Sequence, residues 1–306
     1  MTYSVMHLIE LTGDQFPLLL NVVLNRLPIV VVGRDMELVD DLAASITTLC
    51  PHRHKLVFWR DFTSEDEILA AQDEEKHDYE VTRTIVSCLS SNLRLAMDRI
   101  RAFNGWVIAV PLGSTVLGVN VTDTTLTGLL DGILSSSYNC GVLRVHSPSH
   151  VVFELLRPYP ATLVVEKSIA EKIVLRKNQS LERIRRLLSK SLRGVDISAG
   201  VFDAVLKLED ESEKMTKDMF EEEVSSYVHA ARRALTILSR IHLARELGAQ
   251  TTLTERNLFE AIGWDIGELP DMIRFIEAEW YEDFSDCIKS GALLGLGAWV
   301  DSMWGT

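Results

Sequence analysis

The residues with the most chemical promise follow the first valine-rich run. Pro28-Ile29-Val30-Val31-Val32 is closed by Gly33, and Arg34 and Asp35 come next. They head a segment in which Leu38, Val39, Leu42, Ala43, Ile46 and Leu49 recur at spacings of three and four. A β-branched run of this kind reads as a strand buried on both faces, and the spacing after it as an amphipathic helix with Asp35 as N-cap. Open α/β sheets hold ligands outside the carboxyl ends of their strands, where a helix N-terminus attracts anions. Gly33, Arg34 and Asp35 are therefore candidate ligand-binding residues, with Arg34 reaching for phosphate oxygens. Asp61, just after the second expected strand, joins them as a group for a ribose hydroxyl or a metal.

The neighbouring residues argue against phosphate. A phosphate loop of the G-x-x-x-x-G-K-[ST] type needs glycines for close backbone approach, a lysine for charge and a hydroxyl for magnesium. After Gly33 come Arg34-Asp35-Met36-Glu37-Leu38-Val39-Asp40, with none of these, and no G-x-G-x-x-G occurs. Asp35, Glu37, Asp40 and Asp41 would line the mouth with negative charge. The favoured reading of Gly33-Arg34-Asp35 is a tight strand-to-helix turn.

Other groupings are poorer. Cys50, His52 and His54 are residue types that ligate zinc or copper, but no second cluster completes a set of four. His146 and His150 flank Ser147-Pro148-Ser149, and Pro148 opposes a helical i, i+4 pair. Both groups read as polar residues in turns, so no metal site is expected. No G-x-S-x-G elbow occurs. Cys88 reads as an inert buried thiol, and no catalytic residue and no cofactor are expected.

The elements that would hold these residues alternate between strand and helix. Residues 29–33 and 55–59 are strands around the first helix, and Trp106-Val107-Ile108-Ala109-Val110-Pro111 is a third. Ile85, Val86, Leu89, Leu93, Ala96 and Ile100 suggest a long helix over 80–102. A weaker strand is expected over 116–121, a helix from about 124 and a further strand at 141–145. The remainder reads as helical, with segments at 181–192, 202–214, 219–247, one after a Thr252/Glu255 capping box and one opened by Pro270 and reaching about Lys289. The expectation is an α/β protein: an N-terminal Rossmann-like, layered, mostly parallel sheet followed by an all-α helical domain. The divisions are 1–150, a transitional 151–195 with a basic helix, and 196–306.

Charge is unevenly spread. Residues 157–193 hold ten basic residues against three acidic, while 207–223 hold three against eight. Arg183, Arg185, Arg186 and Lys190 form a basic helix face that could contact a polyanion, but no aromatic residues interleave them for base stacking. The favoured reading is that the basic and acidic stretches pair with each other or with another subunit. The tail, Gly291-Ala292-Leu293-Leu294-Gly295-Leu296-Gly297-Ala298-Trp299-Val300 with Trp304, is apolar and too short to span a bilayer. Trp299 and Trp304 are candidate interface anchors.

The full chain has 306 residues, with 31 basic and 44 acidic, a net charge of −13, four scattered cysteines and a mean hydropathy of +0.10. This composition excludes disorder, disulfide scaffolds and a general basic nucleic-acid binder. Residues 1–10 lack the pattern of a signal peptide. The expectation is a cytoplasmic, non-enzymatic regulatory or scaffold protein with a degenerate nucleotide-binding-like domain and a helical association domain. It would form a homo-oligomer or bind a protein partner, with no membrane contact. The alternatives are a nucleotide-binding enzyme or sensor using the carboxyl edge of the sheet, and a nucleic-acid adaptor using the basic helix.

Overall fold

The computed structural model describes residues 3–61, 64, 66–67, 82–96, 105–116, 118–133, 139–191, 199–249, 251 and 253–287; the side chains of 129, 131–133, 184–185, 187–191 and 199–210 are outside the description. Two N-terminal helices that the sequence pattern did not announce, α1 (Val5–Thr12) and α2 (Phe16–Leu24), precede the sheet. Ser4 caps α1 by accepting from the His7 amide. The amide of Tyr3 donates to Ser45 Oγ, tying the start of the chain to the first crossover helix.

Six strands form the main sheet: β1 (Ile29–Gly33), β2 (His54–Val57), β3 (Thr84–Cys88), β4 (Val107–Pro111), β7 (Gly141–Ser147) and β8 (His150–Leu155). Their order is β2-β3-β4-β1-β7-β8, parallel throughout except for the last pair. The short antiparallel pair β5 (Thr115–Val116) and β6 (Val119–Asn120) stands apart. This is the mostly parallel α/β sheet, followed by a helical domain, that the alternating pattern implied.

Residue alternation along β1 divides the core into two layers. Ile29 and Val31 face α1, α2 and α3 (Met36–Ile46), whereas Val30 and Val32 face Phe58, α4 (Leu93–Ala96) and α5 (Leu126–Ile133). The first layer runs on without a break into the helical region. Ile169, Ile173, Phe220, Val224 and Phe275 belong to the same apolar cluster as Val31.

Several elements differ from their sequence pattern. Ile85 and Val86 lie in strand β3, not in a helix over 80–102. In Thr84-Ile85-Val86-Ser87-Cys88 a short β-branched run overrides the helical spacing, because both faces are buried beside β4 and β2. The two segments at 202–214 and 219–247 form one helix, α7 (Ala199–Glu246), which follows α6 (Val164–Ser191). The cap of α8 (Glu255–Ile262) is Thr254, which accepts from the Asn257 amide, while the Glu255 carboxylate accepts from the Leu269 amide. Helix α9 (Leu269–Trp280) carries Pro270 in its first turn and stops well short of 289, where Tyr281 takes a left-handed φ of 60°.

Where α6 meets α2, Asn21 Nδ2 donates to Glu166 Oε1 at 2.7 Å. Burial raises the Glu166 carboxyl above its ordinary value near 4.5, and Asp271 adds to the shift against Asn21 and Arg274. The protonated form is thus favoured in the fold. Its stabilisation is fully present below the unfolded value and is lost as pH rises through the native one. Glu166→Gln keeps the acceptor and removes the charge. It should melt above the wild type at pH 8 and converge with it toward pH 4, as followed by circular dichroism.

Candidate functional site

The sheet has a topological switch point where open α/β sheets bind ligands. From the carboxyl end of β1 the chain enters α3 on one face, and from the adjacent β4 it proceeds to α5 on the other. A crevice between those two exits is the expected place for a ligand. Gly33, Arg34 and Asp35 stand at this point, and the fold uses most of their polar capacity itself.

Gly33 lacks a side chain because there is no room for one. A Cβ would lie 2.9 Å from both Val145 Cβ and Val39 Cγ2, and 3.0 Å from the Val145 carbonyl oxygen. Its own carbonyl accepts from the Leu112 amide at 2.7 Å, which draws the loop after β4 over the end of β1. Asp35 caps α3 by accepting from the Leu38 amide at 3.2 Å. Asp40 accepts from both the amide and the hydroxyl of Ser90, each at 2.7 Å, and so fastens the turn after β3. Val116 and Val121, from the β5–β6 hairpin, are buried against the same layer as Val32 and Val110. Arg34 is exposed and forms no ion pair among the described residues.

Asp61 does not join this group. It follows β2, three strand positions from β1, or about 14 Å at the usual spacing. Its carboxylate accepts from the Val57 amide at 2.7 Å and closes a local turn. Arg183 and Arg186 are exposed on α6, and Arg186 faces Glu182 of its own helix at 3.6 Å. The side chains of Arg185 and Lys190, and all of Trp299 and Trp304, lie outside the described residues.

The densest polar cluster is one that sequence spacing did not expose. Arg53 lies in the turn before β2 with its side chain fully buried. Its Nη1 donates to the Val23 carbonyl at 2.7 Å and its Nη2 to the Leu24 carbonyl at 2.6 Å, satisfying the end of α2. The same guanidinium holds Glu279 of α9 through Nε at 3.0 Å and Nη2 at 2.5 Å. Arg83, just before β3, donates to the Glu279 carbonyl at 2.9 Å. Arg26 and Arg83 each place a guanidinium 5.7 Å from the centre of the Tyr281 ring.

Burial alone would raise the Glu279 carboxyl, but Arg53, His52 and Arg26 pull it well below the carboxylate range. Burial lowers His52, whose Nε2 stands 3.7 Å from Glu279 Oε1. Cys50 and His52 thus belong to this structural joint, while His54 is exposed on β2, so the three do not converge as ligands. Among the described residues, no group of three or more His, Cys, Asp or Glu is arranged to hold a metal. All four cysteines are free and buried, and burial pushes the Cys88 and Cys140 thiols up to about 12. The only sequence signal for the joint was a lone arginine between two turn residues, and its partner lies 226 positions away.

Fold and site together define an α/β protein with a self-occupied switch point and a helical region latched to its sheet. Searches against family models, curated proteins and solved structures return no match.

Two substitutions test these roles. Glu279→Gln leaves Arg53 buried without its counter-charge and should cost about 3–5 kcal/mol in urea unfolding. Gly33→Ala should lower stability by about 1–3 kcal/mol through overpacking against Val145 and Val39. A Gly33→Ala protein as stable as wild type would show that the glycine is there for something other than packing.

Proposed function

We propose that this protein is a non-enzymatic regulatory or scaffold protein whose α/β domain is a degenerate ligand-binding fold and whose helical region associates with a second copy or a protein partner. One observation carries the reading. At the switch point, Gly33, Asp35 and Asp40 are engaged by Leu112, Leu38 and Ser90, while Asp35 and Glu37 place acid at the N-terminus of α3. A nucleotide phosphate would meet repulsion there and few free donors.

The helical region supports the association half of the reading. Lys172 of α6 pairs with Glu223 of α7 at 2.7 Å, and Arg176 Nε lies 3.3 Å from Met215 Sδ, so the two helices run antiparallel. The Lys172–Glu223 contact joins the basic stretch to the acidic one. Beyond Ile173 on α6 and before Thr216 on α7, no described side chain is buried, although each helix continues for about 25 Å. The exposed side chains of Leu175 and Met215 on this stretch suit a contact surface. The Trp-bearing tail adds apolar residues that need cover. No described helix is long and apolar enough to cross a membrane. Buried free thiols accord with a cytoplasmic setting.

The test is light scattering of the full chain beside one ending at Ser290. The truncated protein should keep its circular dichroism spectrum and lose mass or a co-purifying partner. An unchanged mass with unchanged partners overturns the role given to the tail. A thermal shift with nucleotides and magnesium should stay flat, since a tight ligand would raise the melting temperature by mass action.

A further inference from the structure

The two histidines beside Ser147-Pro148-Ser149 become neighbours through the sheet, not through a helix. Strands β7 and β8 pair antiparallel with Arg144 opposite Val152 and Val145 opposite Val151. Past that point the register slips by one residue, so Ser147 pairs with His150 and His146 is the extra residue of the longer strand. A bulge between Val145 and Ser147 leads into the turn. Both histidines are exposed, their ring centres are 5.0 Å apart and the rings lie 27° from parallel.

We propose that His146 and His150 form a two-imidazole binding site for a divalent transition cation of the zinc or copper class. The spacing suits one shared ion. A cation about 2.1 Å from one nitrogen of each ring stands about 3.2 Å from each ring centre, so centres 5.0 Å apart subtend about 100° at the metal, close to the tetrahedral angle. The rings are stacked as they stand, and rotation about χ2, a broad torsion for histidine, is what turns a nitrogen of each toward a shared ion. Imidazole donors select zinc, copper or nickel over magnesium and calcium, which prefer oxygen.

The local charge permits a cation. Arg144, two residues before His146 on β7, is held by Glu154 at 2.8 Å and Asp123 at 3.3 Å, two carboxylates against one guanidinium. Arg34 contributes one positive charge from the neighbouring strand, following Gly33, which pairs with Val145. The Ser147 and Ser149 hydroxyls lie 3.4 Å apart in the turn. Two protein donors leave the other coordination positions to water or to a donor from a second molecule. The site sits at the carboxyl end of β7, beside the switch point but on residues that packing does not consume.

Zinc chloride titrated into the full chain by calorimetry tests the proposal. One equivalent should bind, and His146→Ala or His150→Ala should each weaken binding about tenfold or more. Failure of wild type to bind zinc, or equal binding by the His146→Ala/His150→Ala double variant, overturns it. Electron paramagnetic resonance of the wild-type chain with one equivalent of copper(II) gives a reading that needs no variant. Two-nitrogen equatorial ligation is expected, and ligation without imidazole nitrogen overturns the site.

Discussion

The contact between Arg53 and Glu279 is the constraint on which the arrangement of the two halves depends. One buried guanidinium ends α2, by taking the Val23 and Leu24 carbonyls, and grips the last turn of α9. Such a pair is weak evidence for stability, since desolvation offsets much of the attraction. Its value lies in geometry. Helix carbonyls and a carboxylate fit the planar donor fork in one orientation, so the helical region can sit against the N-terminal helices in one register only. Arg83 on the Glu279 carbonyl fixes the same turn from the sheet side.

The mostly parallel sheet below that joint has its switch point between β1 and β4, and the polar atoms of Gly33, Asp35 and Asp40 there are bonded within the fold. In a working phosphate site, glycines allow the ligand near the backbone and a helix N-terminus stays open. Here the glycine admits Val145 and Val39, and the helix start is filled by Asp35. Two of the three residues that looked chemical, Gly33 and Asp35, therefore have packing and capping roles. Arg34 and the adjoining His146–His150 pair are polar groups at this edge that the core leaves exposed.

Much of the sheet was legible because strands buried on both faces leave a dense β-branched mark, as in Val30-Val31-Val32 and Val107-Ile108-Ala109. The cap at Asp35 was equally local. Strand β3 was not legible, since Ile85, Val86 and Leu89 satisfy a helical spacing and a strand alike, and only the pairing with β2 and β4 decides between them. Helices α1 and α2 were missed for a related reason. Phe16, Leu19, Leu20, Val22, Val23 and Leu24 are buried almost all round, so α2 shows no amphipathic stripe. The candidate site split in the same way: Gly33, Arg34 and Asp35 are contiguous and stayed together, but Asp61 depended on strand order and fell three strands away.

Local sequence by itself determined the β-branched strands, the α3 cap, the alternation of strand and helix and the opposed charge of the 157–193 and 207–223 stretches. These rest on interactions within a few residues, which composition and period record. Tertiary structure alone decided that Arg53 would meet Glu279, that the space beside Gly33 would be filled by Val145, and that the rings of His146 and His150 would stack across the bulged turn. Each of those depends on which strands or helices become neighbours. That choice is made by burying the whole apolar surface at once, and no single segment carries it.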